Sequence, residues 1–137
     1  MLTSQSILNL ARCRYDEAKI LFKNDKWDGA VYLCGYAMEL ILKWRIVKVL
    51  NWDGYPETTK EFEDYKSFKV HNLDVLLHLS GIEKKIQADN LAYARWQIAR
   101  TWDPEIRYRE IGKMQKTEAS DIIDATRQTI VFVIKAI

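Results

Sequence analysis

The chain has few residues that break helices: five glycines and two prolines in 137 positions. That scarcity argues against many short strands joined by tight turns and favours helices, with the glycines and prolines expected between the periodic stretches. Cysteine is rarer still. Cys13 and Cys34 stand at no metal-ligand spacing and lie in apolar helical patterns, so both are expected to be reduced core residues. Charge of one sign is also missing. Lys and Arg number 21 against 19 Asp and Glu, a net charge of +2, which excludes a global basic field for nucleic acid and leaves only local anion sites. No apolar run approaches the roughly 20 residues that span a bilayer, and Met1–Gln5 shows no basic stretch leading into an apolar one. A cytoplasmic protein without membrane association is expected. Gly-rich phosphate loops, a Ser-His-Asp order and paired-cysteine zinc patterns are absent too, so neither a cofactor nor a metal is expected.

What is present is apolar content: 48% of the residues are hydrophobic, enough for one core and a single domain over 1–137. The spacing predicts a first helix from about Ser4 to Phe22, with Leu8, Ala11, Tyr15, Ala18 and Phe22 on its inner face, ended by Asn24-Asp25. A second, central helix from Trp27 to Leu50 carries Ala30, Cys34, Ala37, Ile41, Trp44 and Val47 in one stripe. Turn residues open the stretch from Asn51 to Lys69, read as an ordered long loop whose Trp52, Tyr55, Phe62, Tyr65 and Phe68 cover the core or form an interface. Asn72 suits the N-cap of a short helix over Leu73–Ser80, and Gly81 its stop. A fourth helix from Lys84 to Thr101 presents Leu91, Ala94, Ile98 and then Trp102, and Asp103-Pro104 ends it. A second long connection, Trp102 to Lys116, leads to a last helix from about Thr117 through Ile122, Thr126, Ile130, Val133 and Ile137. The β-branched Ile130–Ile134 allows a strand as the rival reading; the helix is preferred.

Three segments in this order carry a resemblance to the HEPN superfamily, over essentially the whole chain. They are Arg14-Tyr15-Asp16-Glu17-Ala18 continuing through Trp27-Asp28-Gly29 into Tyr36-Ala37-Met38-Glu39-Leu40, then Lys69-Val70-His71-Asn72-Leu73, then Trp102-Asp103-Pro104-Glu105-Ile106-Arg107-Tyr108. The resemblance implies an all-α fold: an antiparallel up-down four-helix bundle with an extra short helix, often a homodimer. It also implies RNA cleavage, nucleotide binding, or partnership with a minimal nucleotidyltransferase in defence and toxin-antitoxin systems. Catalytic members place an arginine near the last helix with four to six residues between it and a following histidine. Here Gly112, Lys113 and Met114 follow Arg107 at that spacing, and Met114, Gln115 and Lys116 follow Arg109. Lys and Arg near their free pKa values are poor acids and bases at neutral pH, so ribonuclease activity does not carry over.

The candidate sites are local. Glu39 and Lys43, one turn apart on the central helix, are expected to form a helical ion pair worth ~0.2 to 0.5 kcal/mol, with a pocket or dimer seam as the functional alternative. His71, Asp74 and His78 share a helical spacing, but two imidazoles and one carboxylate are a thin ligand set, so His71 is expected to bond near the cap and His78 to sit on the surface. The stretch from Arg95 to Lys116 has a local excess of positive charge, with Arg95, Arg100, Arg107, Arg109, Lys113 and Lys116 against Asp103, Glu105 and Glu110. Trp96, Trp102 and Tyr108 offer stacking faces there. Against this, Arg107 could pair with Asp103 or Glu39 and lock the loop. The leading expectation is an accessory module that binds a nucleotide, RNA or nucleotidyltransferase partner through Arg107, Tyr108 and Arg109, with Trp102, Lys113, Glu39 and Lys43 around them. One alternative is a divergent metal-independent ribonuclease using Arg107 and His71; another is a helical module that only recruits a partner protein.

Overall fold

Thr3 begins the first helix by accepting the Ser6 N–H on its hydroxyl at 3.2 Å, which satisfies one of the donors a helix start leaves open. In the computed structural model, which describes residues 1–63, 65–101 and 112–136, α1 runs Ser4–Lys23. Asn24 caps its end, and Asp25, with a positive φ of 60°, turns the chain. Helix α2, Trp27–Leu50, follows at once. Its apolar residues lie all round the cylinder, and Ala30, Val31, Ala37, Met38, Ile41, Leu42, Ile46 and Val47 are buried, so it forms the centre of the core. Gly29 and Gly35 lie inside α2 instead of between helices. A Cβ on Gly29 would stand 3.2 Å from Leu21 Cδ1, which marks a close approach of the two helices.

Beyond α2, Gly54–Tyr55 (β2) pairs antiparallel with Leu2–Thr3 (β1), a two-residue ladder that fastens the start of the chain to the end of α2. This pairing is not legible in the composition. Two short 3-10 turns follow, at Glu61–Glu63 and Lys66–Phe68. The aromatic residues largely face inward as expected: Tyr55 is fully buried, Trp52, Phe62 and Phe68 pack on the core from outside, and Tyr65 stays exposed. Helix α3, Leu73–Ser80, has the expected Asn72 cap, accepting the Val75 N–H at 3.1 Å, and the expected left-handed Gly81 at φ 74°.

The expected fourth helix is two. Helix α4 spans Glu83–Ala88 and α5 spans Asn90–Ala99. Asp89 separates them with extended backbone, and its carboxylate accepts the N–H groups of Leu91 and Ala92, restarting the helix. The inner face of α5 is also not the expected one. Ala92, Trp96 and Ala99 are buried, while Leu91 and Ile98 are among the most exposed large apolar residues. Both stripes have helical spacing, and the ring of Trp96 decides between them because burying it removes more apolar area from water.

Helix α6, Lys116–Lys135, continues through Ile130–Ile134, so that segment is helical and not a strand. It buries Ile122, Thr126, Ile130 and Val133. Helix α2 packs against α1, α3 and α6, and α5 lies on α6, an all-α assembly around one main core and a smaller cluster near the start of α2. No helix among the described residues is long and apolar enough to cross a membrane. Of the two cysteines, Cys34 is buried but Cys13 is exposed, contrary to the expectation. Two residues beyond buried Ala11, Cys13 lies about 200° round the helix, on the solvent side, where its thiol donates to Glu17 at 3.1 Å.

Candidate functional site: a carboxylate, an imidazole and an ammonium

Helix α2 places Glu39 and Lys43 on one face, one turn apart, and Lys43 Nζ donates to Glu39 Oε1 at 2.8 Å. This is the expected pair, but not an exposed one. Side-chain exposure is 16% for Lys43 and 5% for Glu39, so removing one partner strands a largely desolvated charge. A third group joins from outside the helix. Nδ1 of His71 lies 2.7 Å from the same carboxylate oxygen, so His71 does not spend its hydrogen bond on the helix cap. The other carboxylate oxygen, Oε2, is buried with no hydrogen-bond partner among the described residues.

The backbone around His71 is held on both sides. Before it, the Tyr55 hydroxyl donates to the Phe68 carbonyl at 2.5 Å. After it, Asn72 caps α3. Burial first, and the charge of Glu39 second, push the Tyr55 phenol well above its ordinary pKa, so it remains a donor. Lys43 Nζ lies 5.1 Å from the centre of the Tyr55 ring, in cation–π range. Glu39 and Tyr55 are thus interior, whereas the His71 side chain is 63% exposed. The cluster has an inner carboxylate and an outer imidazole.

The other candidates among the described residues have partners of their own. Asp74 takes Arg100 in a bidentate pair at 3.0 and 2.8 Å, and His78 stands 3.7 Å from Glu83. His71, Asp74 and His78 therefore each turn to a different partner. Asp74 also neutralises one of the positive charges attributed to the 95–116 stretch. Arg100, Asp74, Tyr93 and Trp96 line an open groove of about 280 Å³ between α3, α4 and α5. Trp96 is buried, so it offers no free stacking face. Lys113 follows Gly112, whose N–H donates to Asp28 at 2.9 Å in the first turn of α2. At 1.5 Å per residue, Asp28 lies about 16 Å along the axis from Glu39, so Lys113 belongs to the other end of the helix. Trp102, Arg107, Tyr108 and Arg109 lie outside the described residues.

Sequence reasoning missed Tyr55 beside the site and, toward the far end of α3, the buried charge of Arg45. Tyr55 gave only an aromatic signal, with nothing to mark it as a clamp. Arg45 was not singled out by its spacing. It is 5% exposed, its Nε donates to the Ser80 carbonyl at 3.1 Å, and burial lowers its pKa. A charge between Trp44 and Ile46 in an apolar run is the signal that could have found it. No protein-family model, no curated protein and no solved structure matches the chain.

Proposed function

We propose that the chain is a ligand-binding helical module whose site is the Glu39–Lys43–His71 cluster. More particularly, it is an accessory member of the HEPN type: a homodimeric antiparallel four-helix bundle with an extra short helix, binding a nucleotide or RNA beside a nucleotidyltransferase partner in a toxin-antitoxin or defence system. The observation that carries the reading is the 2.7 Å contact between a buried carboxylate and an exposed imidazole. A desolvated carboxylate in an apolar helix is costly, and here it supports a polar group turned to the surface. The cationic stretch around Arg107, Tyr108 and Arg109 supplies phosphate contacts in this reading. It makes binding fall as salt rises.

The test is a titration of fluorescent nucleotides and short RNA at two salt concentrations, against wild type, His71→Ala and the pair Arg107→Ala with Arg109→Ala. Salt-sensitive binding weakened by both sets of variants supports the proposal. Binding that none of them alters, or no binding at all, overturns it.

A second reading, a divergent metal-independent ribonuclease, is favoured by the same contact, because a carboxylate-held imidazole is a competent general base. In that reading Arg107 steadies the scissile phosphate. Labelled RNA left uncut by micromolar wild-type protein removes it.

A further inference from the structure

We infer that Glu39 is a positioning residue that fixes neutral His71 in its Nδ1–H tautomer and leaves Nε2 facing outward as a hydrogen-bond acceptor for a hydroxyl or amino group of the ligand. The inference rests on the reading of this cluster as a ligand site and adds the chemistry of the group it takes.

The tautomer follows from the donors around one oxygen. Oε1 of Glu39 receives Lys43 Nζ at 2.8 Å and His71 Nδ1 at 2.7 Å. An ammonium has protons to give and no lone pair to accept with, so Oε1 acts as an acceptor toward Lys43. The same oxygen then takes the Nδ1 proton, and in the neutral ring a proton on Nδ1 leaves a lone pair on Nε2.

The orientation follows from burial. The carboxylate is 5% exposed and the imidazole 63%, so the ring's Nδ1 edge points into the protein and its opposite edge away from it. The backbone is fixed three residues earlier by Tyr55 on the Phe68 carbonyl and one residue later by the Asn72 cap. The ring is therefore held by its neighbours before any ligand arrives. Lys43 is tied to Glu39 and lies over the Tyr55 ring, so its ammonium is spent inside the cluster, and the neutral ring presents an acceptor outward. A phosphodiester, which has only acceptor oxygens, is the wrong partner for neutral Nε2; a hydroxyl or amine is the right one.

Side-chain 15N spectra of the full chain, with long-range proton correlations recorded from pH 6 to 9, read the tautomer directly. A His78→Gln background leaves a single imidazole. In the neutral limit the inference expects protonated Nδ1 and bare Nε2. Glu39→Met should shift the ring toward the Nε2–H form, and Glu39→Gln, whose amide oxygen still accepts, should restore Nδ1–H. A wild-type ring in the Nε2–H form overturns the inference, and it does so from the wild-type spectrum even if Glu39→Met fails to fold.

Adenosine and dimethyl phosphate, a phosphodiester without a proton to give, added separately at millimolar concentration, test the outward face. Adenosine should move the Nε2 resonance in wild type and in Glu39→Gln but not in Glu39→Met. A response to dimethyl phosphate alone overturns the acceptor role. An Nδ1–H ring that answers to neither probe overturns the ligand-site reading and the acceptor role with it, while the tautomer assignment to Glu39 stands. The two failures are thereby distinguished.

Discussion

Glu39 and His71 stand 32 residues apart in the chain, and Nδ1 of His71 lies 2.7 Å from Oε1 of Glu39. The contact joins the middle of α2 to the entrance of α3. It also unites a side chain almost wholly removed from water with one mostly in it, and that asymmetry governs what each contributes.

Removing the inner partner costs more than removing the outer one. Glu39→Ala strands the ammonium of Lys43, only 16% exposed, and opens a gap in α2; the expected loss is about 2 to 4 kcal/mol. His71→Ala removes a group that water can replace, and the expected loss is under about 1 kcal/mol. Urea denaturation of both variants measures the difference. Equal losses would mean that the imidazole is interior in solution.

Tyr55→Phe keeps the buried ring and removes only the hydroxyl that holds the Phe68 carbonyl. The expected cost is about 1 to 2 kcal/mol, the usual effect of leaving a partly buried acceptor unmet. Because that bond ties the stretch before His71 to β2, limited proteolysis within residues 57–70 should quicken by more than the global stability loss explains. Unchanged cleavage would assign the clamp to the aromatic contacts of Trp52 with Phe68 and Tyr65.

Helix spacing made α1, α2, α3 and α6 legible because each has one apolar stripe, or in α2 apolar residues all round, with punctuation at Asn24, Asn51, Asn72 and Gly81. The α4–α5 break was not legible. Asp89 sits in a sequence that reads as continuous helix, and only its cap contacts show the restart. The inner face of α5 was ambiguous because two apolar stripes lie side by side. Of the site, Glu39 and Lys43 were visible as a helical pair, since their spacing is local. His71 was visible as a candidate but not as a partner of Glu39, because a contact across 32 positions depends on how the 51–70 segment folds back. That segment carries no period from which its path could be read.

Stability should fall at alkaline pH, and two buried acids set the window. Burial pushes the Cys34 thiol up to about 12 from an ordinary 9.0, and Tyr55 rises above its ordinary 10.0. The folded state holds both protons where the unfolded chain releases them, so unfolding becomes easier as pH rises. This stability is fully present below about pH 9 and declines above it. Each group contributes a limiting slope of about 1.4 kcal/mol per pH unit between its unfolded and folded values. Denaturation midpoints from pH 7 to 11 should fall in wild type and flatten in Cys34→Ala combined with Tyr55→Phe. A decline of the same slope in the double variant would place its source elsewhere.

Two glycines should respond to alanine for different reasons and with different consequences for the site. Gly81 ends α3 at φ 74° with open space where a Cβ would go, so Gly81→Ala carries only the cost of left-handed backbone, about 1 to 2 kcal/mol. Nothing near Glu39 or His71 need move. Gly54 has no positive φ, but a Cβ there would lie 2.5 Å from the Leu2 carbonyl oxygen, a backbone atom that cannot swing aside. Gly54→Ala must therefore part β1 from β2, and the next residue, Tyr55, carries the clamp on Phe68. Both variants should lose stability, yet only Gly54→Ala should also shift the His71 ring resonances and open the 57–70 stretch to protease. If Gly81→Ala disturbs His71 equally, the ring is positioned through α3 and not through the Tyr55 clamp.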